Sequence, residues 1–170
     1  MNPRRALLMV VPAYLAACLL AIQIEANRGE IPDYTEIEPG LYQGGYVKAP
    51  PPGATAVLNL CEAPDPYQAE VHRHEPIGDT SPPPTLAWLD EQVQFIDQQR
   101  QAGRTVYVHC LHGASRSGLV VIAYEMFRNR LTRDEAARFV RARRGETRPN
   151  PAFWDLLKEW ERKLAQDRAA

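Results

Sequence analysis

The stretch His109-Cys110-Leu111-His112-Gly113-Ala114-Ser115-Arg116-Ser117-Gly118 decides how this chain is read. It sets a cysteine and an arginine with five residues between them, flanked by a β-branched run and a helical pattern. Thr105 to His109 carries Val106 and Val108 in a short apolar run suited to a buried parallel strand, and Leu119 to Phe127 reads as a buried helix. Five intervening residues suffice to curl the backbone around a tetrahedral dianion, with successive N–H groups converging in a nest at the helix N-terminus. Leu111, His112, Gly113, Ala114, Ser115 and Arg116 would line that nest, and Gly113 suits its tight curvature.

Arg116 opens the helix and offers a planar fork able to hold two phosphoryl oxygens at once, which a lysine cannot match. Inward N–H groups, the helix macrodipole and the guanidinium all favour negative charge, so Cys110 is expected as a thiolate nucleophile. The Ser117 hydroxyl is placed to donate to the sulfur as a thiophosphate bond breaks, and His109 to order the loop through hydrogen bonds. His112 reads as a residue of the loop rim, facing solvent or tuning the charge of the pocket.

These residues resemble the signature of the cysteine-dependent protein tyrosine phosphatase superfamily, which runs His-Cys, five residues, Arg, then Ser or Thr. The specific likeness is to the compact dual-specificity phosphatases, and it extends over roughly residues 34 to 164. Ile37-Glu38-Pro39-Gly40-Leu41-Tyr42-Gln43-Gly44-Gly45 resembles the opening hairpin of the family, Ala54 to Leu60 its early core strand, and Pro76-Ile77-Gly78-Asp79 the strand leading into its acid loop. Arg148-Pro149-Asn150-Pro151-Ala152-Phe153-Trp154 is similar to the entry of the last helix. The resemblance implies an α/β fold with a central, mostly parallel sheet flanked by helices, and it implies catalysis through a phosphocysteine. In the family an aspartate roughly thirty residues before the cysteine protonates the leaving oxygen and then activates water; Asp79 stands at that distance, ahead of the turn-forming Thr80-Ser81-Pro82-Pro83-Pro84. Asp65 lies too early for that role and Asp90 falls within a helical pattern. Cys61, on an apolar strand with no arginine partner, reads as a small core hydrophobe.

Outside the loop the patterning suits one α/β domain over residues 34–166. Leu86, Leu89, Val93 and Ile96 recur at helical spacing, with Gly103 just past the end. Thr132 and Glu135 form a capping-box pattern for a helix over Ala136 to Arg143, ended by Gly145. Asn150 and Pro151 open a last helix with Phe153, Leu156, Leu157, Trp160 and Leu164 facing inward. With 170 residues and 45% hydrophobic content the chain can bury one core, and a net charge of −1 gives no electrostatic footprint for nucleic acid. Arg128, Arg130, Arg133, Arg138, Arg141, Arg143, Arg144 and Arg148 crowd the segment after the loop helix and read as a solvated face; any beside the pocket would favour acidic substrates or anionic headgroups. His72 and His74 lack the Cys or carboxylate spacing of a metal site, and neither metal nor cofactor is implied.

The N-terminus reads as a separate unit. After Arg4-Arg5 the run Ala6 to Ile22 carries no charge and approaches bilayer-spanning length, so residues 1–26 are expected to form a hydrophobic helix anchoring the chain, joined to the domain by a linker over 27–33. The alternatives are a signal peptide cut after Ala26, which would leave a secreted or periplasmic protein, and lipidation at Cys18 in Leu15-Ala16-Ala17-Cys18. Arg4 and Arg5 favour a cytoplasmic N-terminal end with the domain outside, whereas protection of Cys110 from oxidation favours the opposite orientation; both remain open. The leading expectation is thus a membrane-tethered phosphatase acting on phosphotyrosine, with phosphoserine and phosphothreonine as further substrates. A phospholipid-headgroup phosphatase, a rhodanese-like sulfurtransferase and a noncatalytic phosphate-binding module stand as alternatives.

Overall fold

The computed structural model describes residues 33–169. Its chain order is β1 (Tyr34–Glu38), β2 (Leu41–Gly44), β3 (Ala54–Asn59), β4 (Val71–His74), α1 (Leu86–Gln101), β5 (Thr105–His109), α2 (Arg116–Arg128), α3 (Arg133–Arg141) and α4 (Pro151–Ala169). The expected N-terminal helix, its cleavage site and nearly all of the linker lie outside the described residues.

The five strands form one sheet in the order β1-β2-β5-β3-β4. The opening hairpin pairs β1 with β2 antiparallel, and every other neighbouring pair is parallel. Central β5 has Val106, Tyr107, Val108 and His109 fully buried, so it reads as a continuous apolar run because both sheet faces are covered. Cys110 follows directly, which delivers its sulfur to the carboxyl end of the parallel strands, where open α/β sheets place their ligand crevices.

Helix α2 is the pillar of the domain. It packs against α1, α3, α4, β5 and β2, and every residue from Arg116 to Met126 is buried. That enclosure explains why Leu119-Val120-Val121-Ile122-Ala123 shows no polar face: a helix covered all round is apolar all round. Each fully buried Leu, Val or Ile there contributes roughly 1.5–3 kcal/mol of transfer free energy. Trp160 of α4 donates its indole N–H to the Ala123 carbonyl at 3.0 Å, which satisfies the ring's one polar atom inside the core.

Helix ends follow local chemistry. Thr85 caps α1 by accepting from Trp88 N at 3.1 Å, and Thr132 and Glu135 form the expected capping box on α3. That box starts α3 at Arg133, earlier than the apolar pattern suggests, and the helix stops at Arg141, where Arg143 N and Arg144 N both turn back to the Val140 carbonyl. The segment before the acid loop also differs from expectation. The strand is Val71–His74, and Pro76-Ile77-Gly78 runs off the sheet, tied by Glu75 N to Asn59 O at 2.9 Å and by a longer contact from Ile77 N to Leu60 O. Pro76 has no N–H to continue the ladder, so Asp79 is carried on irregular backbone.

Candidate active site

The loop between β5 and α2 is shaped from outside. The Leu111 carbonyl accepts from Tyr46 N at 3.1 Å, the Gly113 carbonyl from both Gln43 Nε2 and Arg144 Nε at 2.9 Å, and the Ala114 carbonyl from Arg148 N at 2.9 Å. In a trans peptide the N–H points opposite to its C=O, so these anchors turn the N–H groups of His112, Ala114 and Ser115 toward the loop interior. Gly113 sits at φ +63°, and a Cβ there would lie 2.4 Å from the Gly44 carbonyl carbon. A Cβ on Gly44 would in turn meet the Asp33 carbonyl oxygen at 2.3 Å. The loop therefore nests on the end of β2 with no room for side chains at either position.

Within this cradle Cys110 and Arg116 are 2% and 5% exposed. The Cys110 sulfur lies 3.5 Å from Ser117 Oγ. Arg116 Nη1 donates to both Glu62 oxygens at 2.9 Å and to the Ile77 carbonyl at 3.2 Å, while its buried Nε has no partner. Burial works against the Arg116 charge, but the Glu62 carboxylate and the Cys110 sulfur outweigh it and hold the guanidinium above its ordinary range. A cation fixed on one edge with a free donor on another is ready for an oxyanion.

Asp79 meets the loop from across the crevice. Its Oδ1 accepts from Ser115 Oγ at 2.6 Å and from Asn150 Nδ2 at 2.8 Å, and Ser115 Oγ accepts from Asn150 N at 3.0 Å. Asn150 also caps α4, its Oδ1 accepting from Phe153 N at 2.9 Å. The carboxylate is thus anchored to the loop and to a helix terminus through one oxygen. Cys110 and Ser117 are thus in contact on the loop that Arg116 closes, Asp79 reaches that loop through Ser115, and Leu111 and His112 are exposed.

His109, fully buried, donates toward Asp65 Oδ2 at 3.1 Å, and the same oxygen lies 2.8 Å from His72 Nε2. Burial pushes the Asp65 carboxyl up, yet the hydrogen bonds from His109 and His72 more than offset this, leaving it below the usual carboxylate range. Burial and the neighbouring Cys110 push the Cys61 thiol up to about 12, so Cys61 stays protonated. Asp65, Glu62, Gln43 and Arg144 are the site residues that pattern reading missed. Arg144, grouped in sequence with solvated arginines, is instead 3% exposed and paired with Asp33. Among the described residues, no group of three or more His, Cys, Asp or Glu side chains is arranged to hold a metal ion, and no helix is long and apolar enough to cross a membrane.

Comparison with known proteins agrees with this geometry. The family model for the dual specificity phosphatase catalytic domain matches residues 52–163. Human dual specificity protein phosphatase 16 is 37% identical over 112 residues, which cover 66% of this chain and 17% of that protein. The crystal structure of a mouse dual specificity phosphatase complexed with zinc tungstate superposes with a TM-score of 0.77 at 25% identity, covering 84% of this chain and 94% of that one. Human DUSP28 superposes with a TM-score of 0.73 at 28% identity, covering 80% and 97%. The chain spans between 17% and 36% of the length of the curated relatives it matches.

Proposed function

This chain belongs to the dual specificity phosphatase family, and from that premise we propose that it hydrolyses phosphate monoesters of proteins through Cys110. The observation that carries the reading is the Cys110 sulfur held within reach of Ser117 Oγ, in a loop whose arginine keeps a buried, unpartnered Nε–H. Family membership also sets aside the sulfurtransferase alternative.

The thiolate of Cys110 attacks phosphorus, forming the S–P bond as the P–O bond to the leaving group breaks. Arg116 and the inward N–H groups hold the equatorial oxygens as charge builds on them. Asp79 delivers its proton to the departing oxygen; with Oδ1 engaged by Ser115 and Asn150, Oδ2 is the oxygen that carries it. In the second half-reaction Asp79 takes a proton from water, whose oxygen attacks phosphorus. The S–P bond then breaks, its electron pair returns to Cys110, and the Ser117 hydroxyl stabilises the returning thiolate.

Phosphotyrosine is the first substrate class, with phosphoserine and phosphothreonine beside it. The uncharged apolar run of residues 6–22, which lies outside the described residues, supports a second reading in which it tethers the chain to a membrane and the pocket acts on phospholipid headgroups. Hydrolysis of p-nitrophenyl phosphate, with and without reductant, tests the chemistry. Turnover by the reduced protein that vanishes in Cys110→Ser, with tungstate binding kept, is expected, and an inactive reduced protein would favour the binding module instead. Phosphotyrosine peptides compared with phosphatidylglycerophosphate or phosphoinositide vesicles separate the substrates: turnover of lipid alone would replace the protein reading.

A further inference from the structure

A carboxylate with a fully buried side chain, Asp65, touches the signature sequence without taking part in the phosphoryl transfer. The Asp65 side chain has no exposed surface, and a single oxygen of it faces two imidazoles, His109 of β5 at 3.1 Å and His72 of β4 at 2.8 Å. An ionised carboxylate only accepts, so the proton in the His109 contact sits on Nε2. The other ring nitrogen, Nδ1, lies 3.9 Å from the sulfur of Cys61, a protonated thiol and therefore a donor. A chain of one sense results, from Cys61 S–H to Nδ1 and from Nε2–H to Asp65. The ring is also clamped by stacking on Tyr107, with centroids 5.0 Å apart and planes 17° off parallel, and the Tyr107 hydroxyl donates to the Gly45 carbonyl at 2.5 Å.

The backbone of the same residue carries the nucleophile. The His109 carbonyl accepts from Leu60 N at 2.9 Å, and Cys110 N donates to the Gly44 carbonyl. A ring that turned to seek another acceptor would pull on the strand end from which the sulfur projects. We propose that Asp65 is a positioning residue for catalysis: acting through His109, it fixes the Nε2–H tautomer and the ring plane, and so the placement of the Cys110 sulfur under the loop. The proposal rests on the phosphatase reading, and it extends that reading to a carboxylate outside the nucleophile loop and the acid loop.

Two measurements on the full chain test it. The first is kinetic, a double-mutant cycle over Asp65→Ala, His109→Ala and the pair, with p-nitrophenyl phosphate as substrate. Asp65→Ala is expected to lower kcat about 10- to 100-fold with KM little changed, the scale of a small misplacement of a reacting group. In the His109→Ala background it should cost nothing further, because its effect runs through that ring. Asp65→Asn, whose amide oxygen still accepts from Nε2–H, should recover most of the loss. Independent, additive losses in the cycle, or wild-type kcat in Asp65→Ala, would overturn the proposal. The second reads the ring directly. With four histidines in the chain, imidazole nitrogen NMR of histidine-labelled protein can assign His109, which should show a protonated Nε2 and a bare Nδ1 in the wild type and a mixture in Asp65→Ala. An Nδ1–H tautomer in the wild type would overturn it. Because this signal needs no turnover, failure of the phosphatase reading and failure of the Asp65 proposal give different results.

Discussion

Arg116 is held by what surrounds it rather than by its own stem, and that makes its chemistry hard to replace. Glu62 takes Nη1 with both carboxylate oxygens, and the Ile77 carbonyl takes it from another side, so the guanidinium plane is set before any substrate arrives. Arg116→Lys would keep the charge but lose the fork: one ammonium cannot satisfy Glu62 and two phosphoryl oxygens in fixed geometry. We expect kcat/KM on p-nitrophenyl phosphate to fall at least roughly 100-fold, the scale for losing one oriented donor to developing charge. Steady-state kinetics beside a tungstate titration checks this, and near-wild-type turnover would show that charge alone suffices. For Asp79, Asp79→Asn should slow alkyl phosphates far more than p-nitrophenyl phosphate, because the better leaving group needs less protonation. Equal losses on both would remove Asp79 as the acid. These residues were legible because the signature places nucleophile, fork and hydroxyl within eight consecutive positions, and because the acid precedes a proline-rich turn. Asp65 and Glu62 were not legible: they reach His109 and Arg116 across 44 and 54 residues, and only the fold determines that they meet.

At the scale of elements, the nucleophile loop is a turn whose shape is imposed by three neighbours. The hairpin supplies Gly44 and Gln43, the α3–α4 connection supplies Arg144 and Arg148, and β3 supplies the segment that leads to Glu62. Gly113→Ala tests how far that mould is obligatory. The substitution puts a side chain at φ +63° and a Cβ 2.4 Å from the Gly44 carbonyl carbon, so either the loop lifts or β2 gives way. Activity should fall by more than tenfold even when the folded fraction, followed by circular dichroism, is unchanged, as expected for a misplacement near the reacting atoms. Unimpaired kinetics would mean that the loop tolerates a different curl. Helix positions could be read from apolar spacing and caps, and their ends could not always be: the α3 cap fixes its start at Arg133, while its end depends on Arg144 turning inward to Gly113 and Asp33. A buried arginine with distant partners has the same local pattern as a solvated one, which is why the sequence grouped it with its neighbours.

For the whole molecule, the pillar helix carries a hidden charge whose cost shows as pH dependence of stability. Glu125 of α2 is fully buried, with Oε2 accepting from Asn129 Nδ2 at 2.6 Å and Oε1 without a partner. Burial, with Glu38 adding to it, raises its carboxyl from 4.5 to about 7, against the weaker pull of Asn129, Arg100 and Arg143. Below pH 4.5 folded and unfolded chains both hold the proton, and the group costs nothing. As pH rises the unfolded chain ionises first, so stability is lost progressively until the folded group ionises near pH 7, after which the loss stays constant. Its full size is on the order of 3 kcal/mol. Glu125→Gln keeps an oxygen for Asn129 and has no charge to bury. The variant should therefore match the wild type near pH 4.5, gain on it through neutrality and stay ahead at pH 8. Urea unfolding of both proteins across that range gives the difference directly, with other titrating groups cancelling between them. A gain that is the same at every pH would mean the glutamate is disfavoured by packing, and no gain at pH 8 would mean that the buried carboxylate is already compensated by its neighbours.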